Sequence, residues 1–139
     1  MFLADTNLLS EPRQKNPDVR VLKWLSDHEE ELLISAISLA EIQSGISLLA
    51  DGRKKSALRE WYDVLRENHR GSILDFNEAV ALRWGDLDAE LERKGKKMPM
   101  EDSYLAATAL HYDLTVATRN ERDFREATVK VLNPWKENS

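Results

Sequence analysis

The chain has 139 residues, of which 42% are hydrophobic and 32% are charged, and it contains no cysteine. This composition is typical of a globular protein rather than a disordered one, and the lack of cysteine excludes disulfide bonds, thiolate zinc sites and cysteine nucleophiles. The net charge of −5 means that the field of the whole molecule would not attract a nucleic acid. A polyanionic substrate would therefore require bound cations or local basic patches.

The sequence gives no sign of a targeting or membrane segment. No apolar run approaches the roughly 20 residues that a membrane-spanning helix needs. The first residues, Met1–Asp5, lack a basic region and end on an acid, so we expect no signal peptide. The sequence therefore predicts a cytoplasmic protein without a membrane segment.

In the first half of the chain, short apolar runs alternate with helical patterns. Met1–Ala4 predicts a buried strand, followed by a polar turn at Asp5–Asn7. Asn16 and Pro17 are typical of a helix start, with Asn as the N-cap and Pro at the first helical position. The other elements predicted here are a strand at Leu32–Ile34, a helix from Ser38 to about Leu49 and a helix from Asp51 to about Asn68.

The second half continues the alternation. Its predicted elements are a strand at Ser72–Leu74, a helix from Phe76 to about Lys94, a helix at Glu101–Tyr112, a strand at Leu114–Ala117, a helical turn at Glu121–Glu126 and a strand at Val129–Leu132. Because strands alternate with helices, we expect right-handed crossovers and a mostly parallel sheet. The sequence therefore predicts a single α/β domain over residues 1–139, with about five strands.

Four acidic residues lie far apart in the chain, each where a predicted strand ends or a predicted helix begins: Asp5, Glu41, Asp102 and Asp123. Each has an ordinary structural explanation. Asp5 would shape a turn, Glu41 would complete a capping box with Ser38, and the other two would meet the positive end of a helix. However, a parallel sheet brings the carboxyl ends of its strands to one edge, and capping alone does not require the four acids to meet there.

Converging carboxylates favour a divalent cation. Crowded carboxylates repel one another unless a cation holds them, and Mg²⁺ and Mn²⁺ prefer oxygen ligands. Such a site orients a phosphate and lowers the pKa of a bound water, often with two metals roughly 3.5–4 Å apart. The three histidines, His28, His69 and His111, show no ligand spacing, and neither a Ser-His-Asp pattern nor a glycine-rich phosphate loop is visible. The sequence therefore predicts metal-dependent chemistry on a phosphodiester.

Five short motifs follow one another along the chain. They are Leu3–Asn7, Ser38–Ile42 with Gly45, Pro99–Asp102 leading into Ala106–Ala109, Ala117–Asn120 with Asp123 and Phe124, and Asn133–Trp135. In this order the motifs resemble the PIN-domain family, and within it the bacterial toxin ribonucleases of the VapC group, especially the FitB-like branch. Each motif alone is weak, whereas the ordered set is specific and covers essentially the whole chain.

The resemblance implies a three-layer α/β/α fold and a Mg²⁺-dependent endoribonuclease, with Mn²⁺ as a substitute, that is the toxin of a type II toxin–antitoxin pair. By match to the motifs, Asp5, Glu41 and Asp102 would bind the metal and act in catalysis, with Asp123 as a fourth acid. Supporting roles would fall to the neighbouring residues Thr6, Asn7, Thr118 and Asn120. Many relatives carry an acid where this chain has Asn120, so the fourth ligand departs from the family pattern.

Two surfaces are candidates for partners. The basic stretch Arg93–Lys97 is either a solvated helix end or part of a track for RNA phosphates. In the second case Lys96 and Lys97 would bind RNA, together with Arg119. The helix pair between Ser38 and Asn68 carries apolar residues that core packing explains in large part. The resemblance implies that this pair binds the cognate antitoxin, that the toxin is a homodimer, and that a larger assembly binds operator DNA through the antitoxin.

Two other functions fit the same residues. A non-catalytic module that binds nucleic acid or protein would keep the fold without cleaving a substrate, although four candidate acids argue against it. A metal-dependent phosphatase would hydrolyse simple phosphate esters and would ignore competing RNA. Metal titration with an RNA substrate separates both from a ribonuclease.

Overall fold

A parallel five-stranded sheet forms the centre of the computed structural model, which describes residues 1–136. The strands are β1 (Phe2–Ala4), β2 (Leu32–Ser35), β3 (Ile73–Leu74), β4 (Thr115–Ala117) and β5 (Val131–Leu132). Their order in the sheet is β3-β2-β1-β4-β5, and every neighbouring pair is parallel. The parallel α/β sheet predicted from the sequence is confirmed.

Helices connect the strands. Over residues 1–136 they are α1 (Thr6–Ser10), α2 (Val19–Asp27), α3 (Ala36–Ser47), α4 (Arg53–Asn68), α5 (Glu78–Arg93), α6 (Met100–Tyr112) and α7 (Glu121–Phe124). Short 3-10 turns lie at Glu11–Arg13, Glu29–Glu31 and Arg125–Ala127. The helices predicted after β2 are all present, with ends shifted by a few residues. Within this described part of the chain, none of the helices combines the length and apolarity needed to span a membrane.

Side chains of the strands alternate between the two faces of the sheet, and each face carries its own core. Leu3 and Val116 belong to one core, with buried residues of α5 and α6 such as Leu105. Ala4 and Ala117, the next residues along the same strands, belong to the other core, with residues of α1–α4. Full burial of a side chain such as Leu105 contributes about 1.5–3 kcal/mol to stability. The three-layer α/β/α arrangement implied by the resemblance is therefore present.

The strand order changes direction at β1, and this change positions the candidate site. From β1 the chain moves outward to β2 and β3 through helices on one face. The helices α5 and α6 then cross the other face to β4, on the opposite side of β1. A crevice opens at such a switch point beyond the carboxyl ends of the strands. Asp5 directly follows β1 and Thr118 directly follows β4, so both lie at this crevice.

The segment after β1 is a helix, whereas the sequence predicted a polar turn. Asp5 has an extended backbone conformation and its side chain accepts a hydrogen bond from the Thr6 amide, so it is the N-cap of α1. A helix of five residues is too short to show an amphipathic repeat. The helix was missed for this reason.

The start predicted for the next helix at Asn16–Pro17 is wrong, because α2 begins at Val19. Its N-cap is Asp18, whose Oδ1 accepts a hydrogen bond from the Arg20 amide at 2.9 Å. The Asp18 amide in turn donates to Oε2 of the buried Glu11 at 2.8 Å. This contact with an earlier segment fixes the helix start, and a local sequence pattern does not report it.

The capping box predicted for Ser38 and Glu41 is also wrong. The N-cap of α3 is Ser35, whose Oγ accepts a hydrogen bond from the Ile37 amide at 3.0 Å. Ser38 lies inside the helix, fully buried, and its hydroxyl has no hydrogen-bond partner among the described residues. Because β2 passes directly into α3, Glu41 lies beyond the capping positions and its side chain is available for another contact.

Candidate active site

Both carboxylate oxygens of Asp5 are held in place. Oδ1 accepts a hydrogen bond from the Thr6 amide at 2.7 Å, and Oδ2 accepts one from the Thr118 hydroxyl at 2.6 Å. The Asp5 amide donates to the Ala117 carbonyl at 3.0 Å, so the backbone still pairs with β4 at this point. Only 5% of Asp5 is exposed. Since each carboxylate oxygen has about two acceptor directions, each retains one for another ligand.

The Thr118 hydroxyl joins the end of β4 to this carboxylate. It is fully buried, donates to Asp5 and accepts a hydrogen bond from the Asn120 amide at 3.0 Å. Because a hydroxyl has a single proton, the donation to Asp5 fixes the orientation of both groups. Asn120 contributes its backbone amide, and its side chain makes no capping hydrogen bond to α7.

Thr6 links Asp5 to Glu41. Its amide donates to Asp5, and its hydroxyl donates to Glu41 Oε1 at 2.6 Å. Glu41 lies in the second turn of α3 and is partly exposed. Two acids on separate elements are therefore connected through the first residue of α1.

Asp102, in the first turn of α6, completes the acid cluster together with Asp123 of α7. The pKa of Asp102 is raised from the ordinary 3.8 to about 7, and burial is the largest cause. The negative charges of Asp5, Asp123 and Glu41 raise this pKa further, and a side-chain hydrogen bond with Asp123 adds to the rise. The structure thus brings the four predicted acids together at the switch point.

Burial also raises the pKa of Asp5 and the pKa of Glu41 above their ordinary values. For Asp5, the hydrogen bond from Thr118 opposes the rise in pKa and the charge of Asp123 adds to it. For Glu41, the charges of Asp5 and Glu101 add to the rise. These carboxyls hold protons more tightly than usual, and a nearby cation is the kind of charge that reverses such a shift.

Glu101 is a further acid at this site, and sequence reasoning did not single it out. Its charge raises the pKa of Glu41, and both residues line one shallow groove along α3 and α6. The signal was present in the sequence, because Glu101 directly precedes Asp102 in the Pro99–Asp102 motif. In the sequence alone, Glu101 has the ordinary explanation of an acid in the first turn of a helix.

The carboxylate oxygens of the acid cluster are chemically suitable ligands for a hard divalent cation. Carboxylate oxygens are the ligands that Mg²⁺ and Mn²⁺ prefer, and the four acids come from four separate parts of the chain. Over residues 1–136, no group of three or more acidic or histidine side chains is placed so that it could hold an ion as it stands. A bound cation would therefore require side-chain rotation. Asp102 and Asp123, which share a hydrogen bond only while Asp102 holds its proton, are the candidates for that rotation.

The predicted RNA-binding lysines lie outside the acid cluster. Lys96 and Lys97 are exposed in the loop between α5 and α6. They line a groove with Leu91 and Met98, which is not the groove that Glu41 lines. Their proposed contact with RNA therefore remains a prediction.

Arg119 follows Thr118 in the chain, but its side chain lies over Trp135. The guanidinium carbon is 5.5 Å from the centre of the Trp135 ring, within the range of a cation–π contact. Arg119 and Asn7 line the same groove. Asn7 itself is exposed in α1.

The histidines occupy helix ends. His28 and His69 are the C-caps of α2 and α4, and His111 lies in the last turn of α6. None of them belongs to the acid cluster, in agreement with the lack of ligand spacing in the sequence.

Comparison with known proteins identifies the family. The PIN domain model matches residues 2–130. Toxin FitB of Neisseria gonorrhoeae is 40% identical over 137 residues, which cover 97% of this chain and 99% of FitB. VapC ribonuclease Y4jK of Sinorhizobium fredii is 31% identical over 137 residues, which cover 97% of this chain and 98% of that protein.

The fold agrees with the sequence comparison. A solved structure of FitAB bound to an IR36 DNA fragment has a TM-score of 0.93 at 38% identity, covering 100% of this chain and 99% of that one. Likeness in sequence and in fold therefore extends over nearly the full length of these relatives. The chain belongs to the PIN-domain family, in the group that contains the FitB and VapC toxins.

Proposed function

We propose that this protein is a Mg²⁺-dependent endoribonuclease that acts as the toxin of a type II toxin–antitoxin pair. The observation that carries the proposal is the acid cluster at the switch point, where burial and neighbouring charges raise the pKa of Asp102 to about 7. Relatives that are named as a toxin and as a ribonuclease support it. Mn²⁺ would substitute for Mg²⁺, because both are hard cations that take oxygen ligands.

In this proposal, the acids have distinct roles. Asp5, Glu41 and Asp102 supply metal ligands, and Asp123 is the fourth acid. When bound, the cation would activate a water for attack on an RNA phosphodiester and stabilise the charge that develops on the phosphate. The hydroxyl groups of Thr118 and Thr6 orient Asp5 and Glu41, so these carboxylates need little reorganisation when the substrate arrives.

Asp102 has an additional role as a proton holder. With a pKa of about 7, it carries a proton for part of the time near neutral pH and hydrogen-bonds with Asp123. Release of this proton to solvent would leave the Asp102 oxygens free to act as ligands. At Mg²⁺ concentrations that do not saturate the site, the activity is therefore expected to rise with pH through neutrality.

The proposal includes a cognate antitoxin and a toxin homodimer in the cytoplasm. The helices α3 and α4 pack together, and the Tyr62 hydroxyl donates to the Leu39 carbonyl at 2.8 Å. This pair leaves Leu48 and Val64 exposed. Exposed apolar residues on adjacent helices favour burial against a partner helix. The solved FitAB structure with DNA supports an assembly in which an antitoxin brings the toxin to operator DNA.

The test is cleavage of RNA by the purified protein with Mg²⁺, with Mn²⁺ and with EDTA. Asp5→Asn keeps the size of the side chain and removes its charge, so cleavage should fall below detection while the fold is kept. Asp86→Asn is the matched control, because Asp86 is an exposed acid of α5 outside the acid cluster. This control should retain full activity.

Three results would contradict the proposal. Full activity of Asp5→Asn at unchanged thermal stability would contradict the site. Hydrolysis of p-nitrophenyl phosphate without cleavage of RNA would indicate a phosphatase. If the protein binds RNA but does not cleave it in the presence of any divalent cation, it is a non-catalytic module.

A further inference from the structure

A polar groove lies beside the acid cluster, and the proposed chemistry does not use its residues. Its volume is about 390 Å³, which is within the range of pockets that hold small organic groups. The residues that line it, besides Glu11, are Asn7, Gln14, Lys15, Asn16, Arg119 and Trp135. It is termed the amide groove, after its three amide side chains.

The amide groove is joined to the acid cluster through two segments of the chain. Asn7 follows Asp5 and Thr6 in α1, and Arg119 directly follows Thr118. Because Asp5 and Thr118 are joined by a hydrogen bond of 2.6 Å, both segments of the groove wall begin at the acid cluster. A ligand in the groove would therefore contact residues that lie one position after Thr118 and two positions after Asp5 in the chain.

The groove is basic, although the protein as a whole is acidic. Arg119 and Lys15 contribute two positive charges to its lining, whereas the net charge of the chain is −5. The acid in the lining is Glu11, which is 8% exposed, and its Oε2 accepts a hydrogen bond from the Asp18 amide at 2.8 Å. The balance of charge in the groove therefore favours an anionic ligand.

Arg119 is held in position from two sides. Its guanidinium carbon lies 5.5 Å from the centre of the Trp135 ring. The buried Asn133 connects the backbones of both residues: its Nδ2 donates to the Arg119 carbonyl at 3.4 Å, and its Oδ1 accepts from the Trp135 amide at 2.9 Å. The contact with Trp135 restricts the guanidinium group of Arg119. RNA-binding proteins stack bases on the plane of such a group.

We propose that the amide groove binds one nucleotide of single-stranded RNA next to the cut site, with Arg119 against the base and the amide side chains at its edge. An amide carries a donor and an acceptor side by side, which matches the donor and acceptor groups on base edges. The groove would then set the base preference of cleavage. This inference rests on the proposed ribonuclease function and deepens it.

The first test is RNA binding without cleavage. A fluorescein-labelled single-stranded RNA of five nucleotides is titrated with the Asp5→Asn protein in Mg²⁺, and fluorescence anisotropy gives the Kd. Adding Arg119→Ala should raise the Kd about tenfold, as expected for the loss of one stacked base. Adding Asn16→Ala should raise it by a smaller factor. Lys54→Ala, which removes an exposed charge of α4, is the control and should leave the Kd unchanged.

The second test is the pattern of cleavage by the protein with Asp5 intact. Arg119→Ala and Asn16→Ala should raise KM more than they lower kcat, and they should change which bases flank the cut. Arg119→Lys keeps the charge but lacks the planar group, so it should retain the salt dependence of binding and lose the base preference. Thermal unfolding that matches the wild type shows that each variant is folded.

The outcomes distinguish this inference from the proposed function. Unchanged Kd and unchanged cut positions in the folded groove variants would overturn it. If the groove variants bind RNA more weakly and the wild-type protein cuts no RNA, the result supports the groove as an RNA-binding site and contradicts the proposed ribonuclease function. If the groove variants keep their RNA affinity but no longer bind the cognate antitoxin, the groove is a binding site for the antitoxin and the inference is overturned.

Discussion

Two threonine hydroxyls orient acids of the candidate active site through hydrogen bonds. Thr118 donates to Asp5 and Thr6 donates to Glu41, each at 2.6 Å, a distance typical of strong hydrogen bonds to an ionised group. Burial raises the pKa of Asp5 and of Glu41, and these hydrogen bonds oppose that rise. The threonines therefore keep both carboxylates available as ligands.

Thr118→Val tests this positioning, because valine keeps the branched shape and removes the hydroxyl. Asp5 Oδ2 and the Asn120 amide would each lose a partner. We expect the free energy of unfolding to fall by about 1–3 kcal/mol and the affinity for Mn²⁺ to fall about 10–100-fold. Urea unfolding and isothermal titration calorimetry measure the two effects. Thr118→Ser should recover most of the Mn²⁺ affinity, and a valine variant with wild-type affinity would contradict the positioning role.

The raised pKa of Asp102 makes the free energy of unfolding depend on pH. Its pKa is raised from 3.8 to about 7, so the folded protein binds this proton more tightly than the unfolded chain does. The resulting stabilisation is fully present below the ordinary pKa of 3.8 and is lost as the pH rises through about 7. The acid cluster therefore costs stability at neutral pH in the presence of EDTA.

Asp102→Asn isolates this effect, because asparagine cannot ionise. With EDTA present, the free energy of unfolding of the wild type should fall more steeply between about pH 4 and about pH 7 than that of the variant. After allowance for solvent screening at this partly exposed carboxyl, the difference should be on the order of 1–2 kcal/mol. Urea unfolding across this range measures it, with Asp86→Asn as the control. Parallel curves for wild type and Asp102→Asn would show that burial and the neighbouring charges do not raise the pKa of Asp102 in the folded protein.

Only part of this residue-scale picture was predictable from the sequence. Asp5, Glu41 and Asp102 stood out because each lies near the end of a predicted element. The hydrogen bond between Thr118 and Asp5 joins residues 113 positions apart, so local patterns do not report it, and only the family resemblance implied a supporting role for Thr118. The sequence showed Glu101 only as the neighbour of Asp102, and its proximity to Glu41 depends on how α6 packs beside α3.

At the scale of elements, the junction between β2 and α3 shows how one residue serves two elements. Ser35 ends the strand and caps the helix, so there is no loop between them. This direct passage carries Glu41 to the switch point, where it meets the Thr6 hydroxyl. The sequence placed the cap at Ser38 because Ser38 and Glu41 have the spacing of a capping box. Spacing alone does not show which serine is at the strand end.

Ser35→Ala and Ser38→Ala form a matched pair that tests this assignment. Ser35→Ala should lower the free energy of unfolding by about 1 kcal/mol, because the Ile37 amide loses its capping partner. Ser38→Ala should be neutral or stabilising, because the Ser38 hydroxyl is buried without a hydrogen bond among the described residues. Urea unfolding of both variants measures the difference. If Ser38→Ala lowered the free energy of unfolding more than Ser35→Ala, the result would support the capping box predicted from the sequence.

Helix starts show why element boundaries were only partly predictable. The long helices α4 and α5 have repeated apolar positions, so their extents were predicted within a few residues. The start of α2 depends on the hydrogen bond between the Asp18 amide and Glu11, and the start of α1 depends on an Asp5 held by Thr118. Such tertiary contacts decide between neighbouring capping residues, and local sequence does not contain them.

At the scale of the whole molecule, alternating strands and helices were enough to predict a parallel α/β sheet. They did not predict the strand order, because alternation does not show on which side of β1 the strand β4 is added. That choice depends on α5 and α6 packing on the face opposite α1–α4. The resulting switch point brings together the ends of β1 and β4, and with them Asp5 and Thr118.

The net charge of −5 makes local basic patches important for RNA binding. If Lys96 and Lys97 each contact a phosphate, changing both to Gln should reduce the slope of log affinity against log salt by about 1.4, or 0.7 for each contact with a single strand. Fluorescence anisotropy of labelled RNA at several salt concentrations measures the slope. Lys54→Gln, on α4, is the control, and an unchanged slope in the double variant would exclude both lysines from the RNA track.

The central claim is that the acids at the switch point hold a divalent cation. An anomalous difference map from crystals soaked in Mn²⁺ tests it most directly. The account predicts a Mn²⁺ peak coordinated by oxygens of Asp5 and Asp102, with Glu41 bound directly or through water, and loss of the peak in Asp5→Asn crystals. A map without density at the acid cluster, from crystals of a protein preparation that cleaves RNA only with Mn²⁺, would contradict it.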